Sequence, residues 1–372
     1  MTARSGMKIR TSLPKFPHQF FYFTAMRLRQ MMLRLSNWLS LPQMTIYEKA
    51  QGFWVSRAIA AACELNLADH LEQGPKSIAE LAHLSGTEPN SLYRLMRMLA
   101  GEGIFRELPG KVFENNRLSC SLREGEGSMR NLIMHQFSET NLRLFLDFSG
   151  VIRSGESYSR RILGKPVFQF LQENPQNNEL YNRAMDDSSG LVSLALLSAY
   201  NFEKFRSIVD IGGGHGIVLC NILKRHKKLH GVLFDQSHVV EKAKEIIADS
   251  GLEDRIRIVP GNFFDEIPKG FDGYFMKNIL HAFNDEDCEQ LLCKLREVLP
   301  PDGKLIIMET VISSDNKPAL GKRLDLLMMA GTEGGKERTR EEYEILLKKS
   351  GLKLNRLIRT VAPFSILEAV KG

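Results

Sequence analysis

The sequence lacks the cysteine pattern of a disulfide-bonded or zinc-binding protein. Its five cysteines are odd in number and form no Cys-x-x-Cys pair: Cys63, Cys120, Cys220, Cys288 and Cys293. Neither a disulfide framework nor a zinc knuckle is expected, and a reducing compartment such as the cytoplasm suits the chain. The sequence also shows no cluster of Asp and His at metal-ligand spacing, so no metal is predicted.

Acidic residues are missing from the first 47 positions, which carry seven basic residues. Because the whole chain has a net charge of +6, the remainder carries 6 − 7 = −1, and only the N-terminus is basic. Between residues 18 and 39, helical spacing places Arg27, Gln30, Arg34 and Asn37 opposite an apolar face. That face consists of Phe20, Phe21, Leu28, Met31, Met32, Leu35, Trp38 and Leu39.

Long apolar runs are absent from this segment, because its charges interrupt any stretch able to span a bilayer. We define residues 1–45 as a basic amphipathic extension. Four roles suit it: peripheral membrane contact through residues 18–39, organelle targeting, packing on the fold, or pairing in a dimer.

A chain of 372 residues exceeds one ordinary hydrophobic core and suits two domains. Residues 46–125 read as helix, helix, turn, helix and hairpin, the pattern of a winged helix, and Ser77 with Glu80 forms a capping box. Residues 76–108 hold four basic and four acidic side chains. Since phosphate binding needs a basic excess, a dimerisation domain is predicted here rather than a DNA-binding one.

Residues 126–200 are predicted to be linking helices, which we assign in part to an acceptor pocket. After them the pattern of apolar residues changes. In residues 201–372 short apolar runs alternate with helical patterns, which predicts a doubly wound parallel α/β sheet. The chain ends in two strand-like runs joined by a short link around Pro363. Such a link allows a hairpin and places an antiparallel strand near one edge of the sheet.

A glycine-rich turn, "DIGGGHG", follows the first strand of this sheet. Asp210 closes the strand, and the glycines let the backbone approach a ligand at the switch point of the sheet. A dinucleotide fingerprint would place a third glycine at position 217, which is Ile217. Asp235 ends the second strand, where a carboxylate can hold two ribose hydroxyls. The pattern indicates a nucleotide-like ligand and weakens a nicotinamide assignment.

Titratable residues follow later strands at the same edge. His281 follows the fourth strand, with Lys277 four residues before it, and a histidine there can act as a general base near neutral pH. Glu309 ends the fifth strand, and Glu337 lies in the loop "GGKERT". Two carboxylates beside an imidazole would orient it and stabilise its charged form.

These blocks closely resemble the plant-type small-molecule O-methyltransferases and their bacterial and animal relatives. The resemblance runs from about Trp54 to the C-terminus, and its most specific blocks are "DIGGGHG", "VPGNFF", "MKNILHAFND" and "GGKERT". It implies a Rossmann-like methyltransferase domain that uses S-adenosylmethionine, joined to an all-α winged-helix domain that forms a homodimer. It also implies methyl transfer to a hydroxyl, most simply a phenolic one, of a small aromatic molecule.

By the same resemblance, Gly212 and Gly214 would line the methionine and ribose side of the cofactor. Asp235 would take the ribose hydroxyls, Phe263 would pack on adenine and Lys277 would belong to the cofactor shell.

The resemblance further implies that His281 is the base and that Glu309 and Glu337 bracket it. Met185 and Met328 occupy positions where the family encloses an aromatic acceptor. Since a sulfonium methyl is already electrophilic, one base and a rigid pocket suffice for the reaction.

The sequence departs from the family pattern at two blocks. Asn262 replaces the usual aspartate of the adenine block, where it can still accept a hydrogen bond. His281 is followed by Ala282 and Phe283 instead of Asp-Trp. Two alternatives therefore stay open: a cofactor-binding relative with decarboxylase-like or hydroxylase-like chemistry, and a non-catalytic dimeric regulator built on the winged helix.

Overall fold

The computed structural model describes residues 19–372, with side chains from residue 21 onward. Residues 1–18, which include His18 at the start of the predicted helix, lie outside the described residues. The side chain of Phe20, a member of the predicted apolar face, is also outside the description. The predicted helix is present as α1 (Gln19–Leu39) and is followed by α2 (Pro42–Glu64). Pro42 stands in the first turn of α2, where its missing N–H is not needed for a hydrogen bond.

Large apolar side chains on α1 are exposed rather than packed on the rest of the chain. We call this set the apolar face of α1: Phe21, Leu28, Met31, Met32, Leu35, Trp38 and Leu39. Exposure continues into the start of α2 at Leu41, Met44, Ile46, Tyr47, Phe53 and Trp54.

The predicted winged helix is present in the N-terminal domain and includes α2. Its remaining elements are α3 (Leu67–His70), β1 (Lys76–Ser77), α4 (Ile78–Ser85), α5 (Pro89–Gly101), β2 (Phe105–Leu108), β3 (Val112–Asn115) and a 3-10 turn, Ser119–Leu122. The hairpin β2–β3 pairs with β1 in a small antiparallel sheet. The Ser77–Glu80 capping box opens α4, and the side chain of Glu88 caps α5. The apolar side of α5 packs into the hydrophobic core of this domain through Leu92, Met96 and Leu99.

Only helices and turns occupy the linking region, as predicted. They are α6 (Arg130–Gln136), α7 (Glu139–Arg143), α8 (Phe148–Ser154), α9 (Ser159–Leu163), α10 (Val167–Glu173) and α11 (Pro175–Ala199). Asp187 of α11 accepts the backbone N–H of Asn131 at 2.7 Å, at the start of α6. Because a carboxylate satisfies otherwise orphaned N–H groups there, this contact fixes α11 to the N-terminal half of the chain.

A seven-stranded sheet forms the C-terminal domain, in the order β11-β12-β8-β7-β4-β5-β6. Its strands are β4 (Ser207–Ile211), β5 (His230–Asp235), β6 (Ile256–Pro260), β7 (Gly273–Lys277), β8 (Lys304–Glu309), β11 (Leu352–Arg359) and β12 (Ser365–Lys371). A two-residue ladder joins β9 (Val311–Ile312) to β10 (Arg338–Thr339). Strands β4 to β8 run parallel, and β12 lies antiparallel between β8 and β11. The predicted α/β class and the antiparallel strand near one edge are confirmed.

Helices cover both faces of this sheet and bury one apolar core on each side. The helices of this domain are α12 (Ile217–Arg225), α13 (Ser237–Asp249), α14 (Asp285–Val298), α15 (Leu320–Gly331) and α16 (Arg340–Lys349). The core on one face includes residues of α11, α12 and α13, and the core on the other includes residues of α14 and α16. Strands buried on both faces are nearly continuous apolar runs, which is why the sequence reveals them so clearly.

Candidate active site

The parallel strands bring four ionisable side chains to one edge of the sheet. Asp210 is the penultimate residue of β4, while Asp235, Lys277 and Glu309 are the last residues of β5, β7 and β8. Because parallel strands end at the same edge, side chains far apart in sequence become neighbours there. This edge is the one expected to bind a ligand.

The glycine turn between β4 and α12 shapes that edge. Gly212 and Gly214 have φ angles of +64° and +60°, which glycine adopts without strain. A Cβ at Gly212 would meet Cδ1 of Ile279 at 2.4 Å, so a larger residue does not fit there. A Cβ at Gly214 would meet nothing within 4 Å, and its backbone N–H donates to Asp235 Oδ2 at 2.8 Å. The turn therefore opens beside Asp235.

A cavity extends from this turn toward the linking helices. Most of the residues predicted to touch the cofactor or acceptor line it: Met185, Gly212, Gly214, Asp235, Phe263 and Lys277. Two predicted residues do not. Asn262 is exposed, and its Oδ1 accepts the N–H of Phe264 at 3.0 Å. Met328 lies on α15 and is not among the residues that line the cavity.

Aromatic rings form one wall of the cavity. The ring of Phe283 is stacked on Phe168 with centroids 6.1 Å apart and an interplanar angle of 24°. Phe283 also packs edge-on against Phe263 at 6.0 Å, and Ala282 lines the same space. The two residues that depart from the family pattern after His281 thus face the cavity.

The predicted catalytic residues meet next to this cavity. His281 Nδ1 lies 2.9 Å from Glu337 Oε1. Glu309 Oε1 accepts the backbone N–H groups of Ile279 and Leu280, each at 2.9 Å, and so holds the segment that carries His281. Ligand atoms of His281, Glu309 and Glu337 lie within 4.8 Å of one another. Three residues separated by up to 56 positions therefore form one cluster.

Burial affects the pKa values of Glu309 and His281 in this cluster. The Glu337 side chain is 0% exposed, whereas His281 keeps 16% of its side chain exposed. Burial raises the pKa of Glu309 to about 7, although the charge of His281 opposes this. Burial alone would lower the pKa of His281, but the charge of Glu309 and the hydrogen bond to Glu337 outweigh it. The pKa of His281 therefore lies above its ordinary value.

A second buried pair lies beneath the glycine turn. Burial raises the pKa of Asp210 to about 8, and Lys277 opposes this shift. Burial likewise lowers the pKa of Lys277 to about 8, against the charges of Asp210 and Asp186. Lys277 Nζ also donates to Ser189 Oγ at 2.9 Å. Such shifted groups in a cleft are typical of functional sites.

Helix α11 makes contacts with this edge that no pattern in the sequence predicts. His215, in the glycine turn, lies with Nδ1 2.7 Å from Asp186 Oδ2, and both residues line the cavity with Ser189. Asp186 precedes His215 by 29 positions, so no local pattern could pair them. The only available signal is that the segment "MDDSSG" carries two acids inside an otherwise ordinary helical pattern.

Arg338 is a further site residue that sequence reasoning did not single out. Its fully buried guanidinium donates to the carbonyls of Leu280 at 2.8 Å and Phe283 at 3.0 Å, and to Asp285 Oδ1 at 2.8 Å. Arg338 directly follows Glu337, so it joins the segment that carries His281 to the loop that carries Glu337.

Fold and site together define an enzyme of the nucleotide-cofactor class, with a ligand cavity at the carboxyl edge of a doubly wound sheet and a carboxylate-held histidine beside it. Comparison with known proteins narrows this class. The model of the O-methyltransferase domain matches residues 122–353, and that of the O-methyltransferase dimerisation domain matches residues 47–124. The chain belongs to the O-methyltransferase family.

Individual relatives agree over most of their length. A phenazine O-methyltransferase of Lysobacter antibioticus is 35% identical over 320 residues, which cover 86% of this chain and 93% of that protein. A mitomycin biosynthesis 6-O-methyltransferase of Streptomyces lavendulae is 33% identical, covering 87% and 93%. The solved structure of a methyltransferase of calicheamicin biosynthesis, in its S-adenosylhomocysteine-bound form, matches with a TM-score of 0.79 and 30% identity, covering 89% of this chain and 98% of that one.

These findings confirm the predicted enzyme class and cofactor. The protein is an S-adenosylmethionine-dependent O-methyltransferase with a dimerisation domain. The regulator and the decarboxylase-like or hydroxylase-like alternatives gain no support from the relatives. Within residues 19–372, no helix is both long and apolar enough to cross a membrane.

Proposed function

We propose that this enzyme methylates a phenolic hydroxyl of a small aromatic molecule and that His281 is the general base. The observation that carries the proposal is the 2.9 Å contact between His281 Nδ1 and Glu337 Oε1 beside an aromatic-walled cavity. With Nδ1 held by the carboxylate, Nε2 is the atom left to accept a proton. A proton taken from a hydroxyl would give an imidazolium, which buried Glu337 and Glu309 would stabilise.

The cavity residues fit S-adenosylmethionine. Each Asp235 oxygen accepts one backbone N–H, from Gln236 or Gly214, and keeps a second lone pair for a ribose hydroxyl. Gly214 leaves open space where a side chain would stand, and Phe263 lines the same cavity near Gly212. When bound, this cofactor supplies an electrophilic methyl group.

The remaining task of the protein is to orient the acceptor and exclude water. Phe168, Tyr181 and Phe283 line the cavity with Met185, so a planar ring can pack against aromatic and thioether groups. The names of the two relatives, which refer to phenazine and mitomycin methylation, support an aromatic acceptor. Met328 stays a predicted acceptor contact, and Asn262 stays a predicted cofactor contact.

We propose that the reaction needs no metal, although His281, Glu309 and Glu337 could also serve as metal ligands. Hydrogen bonds already engage Glu309 Oε1 and Glu337 Oε1, and a cation would compete with the contact that orients His281. Methyl transfer should persist after dialysis against a chelator. Loss of turnover that is restored by added Mg²⁺ or Zn²⁺ would reject this part of the proposal.

Two variants separate the base from the cofactor site. His281→Ala should lower turnover by about 10²- to 10⁴-fold, the usual contribution of a general base, with little change in affinity for S-adenosylhomocysteine. Asp235→Ala should instead weaken that affinity. The measurements are transfer of labelled methyl to a panel of phenols and calorimetric titration with S-adenosylhomocysteine. Undiminished turnover by His281→Ala, or an unchanged dissociation constant for Asp235→Ala, would refute the respective assignment.

The dimerisation domain supports assembly of the enzyme as a homodimer. All five cysteines are free, which supports the proposed location in a reducing compartment such as the cytoplasm.

A further inference from the structure

Helix α1 is not accounted for by methyl transfer or by the dimerisation domain. The family models begin at residue 47, after the end of α1 at Leu39. The calicheamicin-biosynthesis methyltransferase is covered over 98% of its length by only 89% of this chain. The extension is therefore additional to a fold that is already complete.

The orientation of α1 leaves its apolar face free. Arg29, Gln30, Leu33, Arg34 and Asn37 line a groove between α1 and residues 318–323, so this mainly polar side of the helix faces the catalytic domain. At 3.6 residues per turn, the apolar face of α1 lies on the opposite side of the helix. Its members are largely exposed, with Trp38 at 79% and Leu39 at 71%. A contiguous apolar surface of this kind marks an interaction site.

Charge identifies the partner of this face. Residues 19–47 contain Arg27, Arg29 and Arg34 and no acidic residue. All three arginines are exposed, and the structure gives none of them an ion pair within residues 19–372.

A second copy of α1 would bring arginines against arginines, with no acid on either helix to pair them. An anionic phospholipid surface instead lets the apolar face of α1 bury itself at the start of the acyl chains. Its phosphate groups can pair with the arginines beside that face. Long arginine side chains can hold their charged ends at the headgroups while their stems cover apolar surface.

We propose that α1 is an in-plane membrane anchor that binds the enzyme to anionic phospholipid surfaces. The helix lies at the boundary between headgroups and acyl chains, with Trp38 at the interface, and does not span the bilayer. Apolar burial and arginine charge act together, so lipid binding is stronger at low ionic strength. The inference does not depend on the proposed acceptor or on the role of His281.

The test is flotation of the full chain with vesicles of phosphatidylcholine containing about one third phosphatidylserine, and with vesicles of phosphatidylcholine alone. The full chain should float with the anionic vesicles and only weakly with the neutral ones. Leu35→Ser/Trp38→Ser should lower the partition coefficient about tenfold or more, because two interfacial apolar groups are lost. Arg27→Gln/Arg34→Gln should lower it about tenfold through loss of charge.

Matched controls make the same chemical changes elsewhere. Leu118→Ser/Ile345→Ser removes two other exposed apolar side chains, and Arg206→Gln/Arg340→Gln removes two other exposed arginines. Both controls should float like the unchanged chain. Affinity for S-adenosylhomocysteine should be equal in all variants, which shows that each one is folded independently of its lipid binding.

The proposal is overturned if the full chain does not float with anionic vesicles, or if the α1 variants float as well as their controls. It is also overturned if Leu35→Ser/Trp38→Ser fails to change flotation but dissociates an oligomer in sedimentation velocity. In that case α1 is a contact between copies of the chain.

Discussion

At the scale of residues, the proposed base is a histidine whose pKa is influenced by two buried carboxylates. His281 must be neutral to accept a proton, yet its pKa lies above the ordinary value because Glu309 and Glu337 favour its charged form. Activity should therefore rise with pH as His281 loses its proton, through a range above the ordinary histidine pKa. The raised pKa lowers the fraction of His281 that is neutral at neutral pH. It also means that the imidazolium formed by proton transfer is more stable.

Glu337→Gln tests this balance. The amide can still accept a hydrogen bond from His281 Nδ1 but carries no charge, so the pKa of His281 should fall. The acidic limb of kcat/KM against pH should then move to lower pH, while the plateau rate drops by roughly tenfold or more because the imidazolium is less stabilised.

Glu341→Gln is the matched control for this measurement, because Glu341 is exposed in the first turn of α16. Its profile should overlay that of the unchanged enzyme. An acidic limb that stays in place in Glu337→Gln would show that Glu337 does not tune the base.

At the same scale, the sequence predicts residue types better than residue contacts. His281, Glu309 and Glu337 could be proposed because strand ends and loops of a parallel sheet converge on one edge. Asp186 and His215 could not, since their pairing depends on how α11 crosses that edge. Asn262 stays a predicted cofactor contact from its position in the adenine block; its side chain is exposed and accepts the N–H of Phe264, a local contact that the sequence pattern did not predict.

At the scale of elements, the 3-10 turn Leu280–Ala282 is held from two sides. Glu309 accepts the N–H of Leu280 from the strand side, and Arg338 donates to the Leu280 carbonyl from the loop side. Since a shift of about 1 Å in a catalytic group can cost about a hundredfold in rate, this bracket sets the position of His281.

Arg338→Lys should lower kcat by about tenfold to a hundredfold, because one ammonium cannot reproduce the fork of contacts to Leu280, Phe283 and Asp285. Affinity for S-adenosylhomocysteine should change little, and the pH profile should shift because the His281–Glu337 contact is disturbed. Kinetics over pH and calorimetry provide the measurements.

Arg340→Lys is the control for this change, because Arg340 is exposed and pairs with Glu344 on the surface of α16. A merely structural role of Arg338 would lower the melting temperature and leave the pH profile of the folded fraction unchanged. That result would contradict the positioning role.

Element types follow from local patterns, whereas their tertiary roles do not. The strands β4 to β8 are visible as apolar runs because both of their faces are buried. The capping box at Ser77 and Glu80 marks the start of α4. Strand β1 has two residues, and its pairing with β3 is what makes it a strand. No local sequence pattern predicts it.

At the scale of the whole molecule, the dimerisation domain predicts a particle of twice the 42.2 kDa chain mass. Phe53 and Trp54, on the part of α2 that the domain model matches, are 54% and 61% exposed in the single chain. Exposed aromatic side chains of this kind are typical interface anchors.

Phe53→Ser/Trp54→Ser should therefore weaken the dimer and yield monomer at low micromolar concentration in sedimentation velocity. Leu118→Ser/Ile345→Ser provides a control of equal chemistry. A monomeric unchanged enzyme, or an undiminished dimer in the α2 variant, would contradict this assembly.

Asp186 and Asp187 are adjacent on α11 but hold opposite halves of the molecule: one contacts the glycine turn through His215, and the other caps the start of α6. Rotating or sliding the helix to relax one carboxylate would pull the other from its partner. We therefore expect α11 to keep its position during turnover. Exchange of product for fresh substrate would then require movement of a neighbouring element such as α10, whose Phe168 and Leu171 line the same cavity.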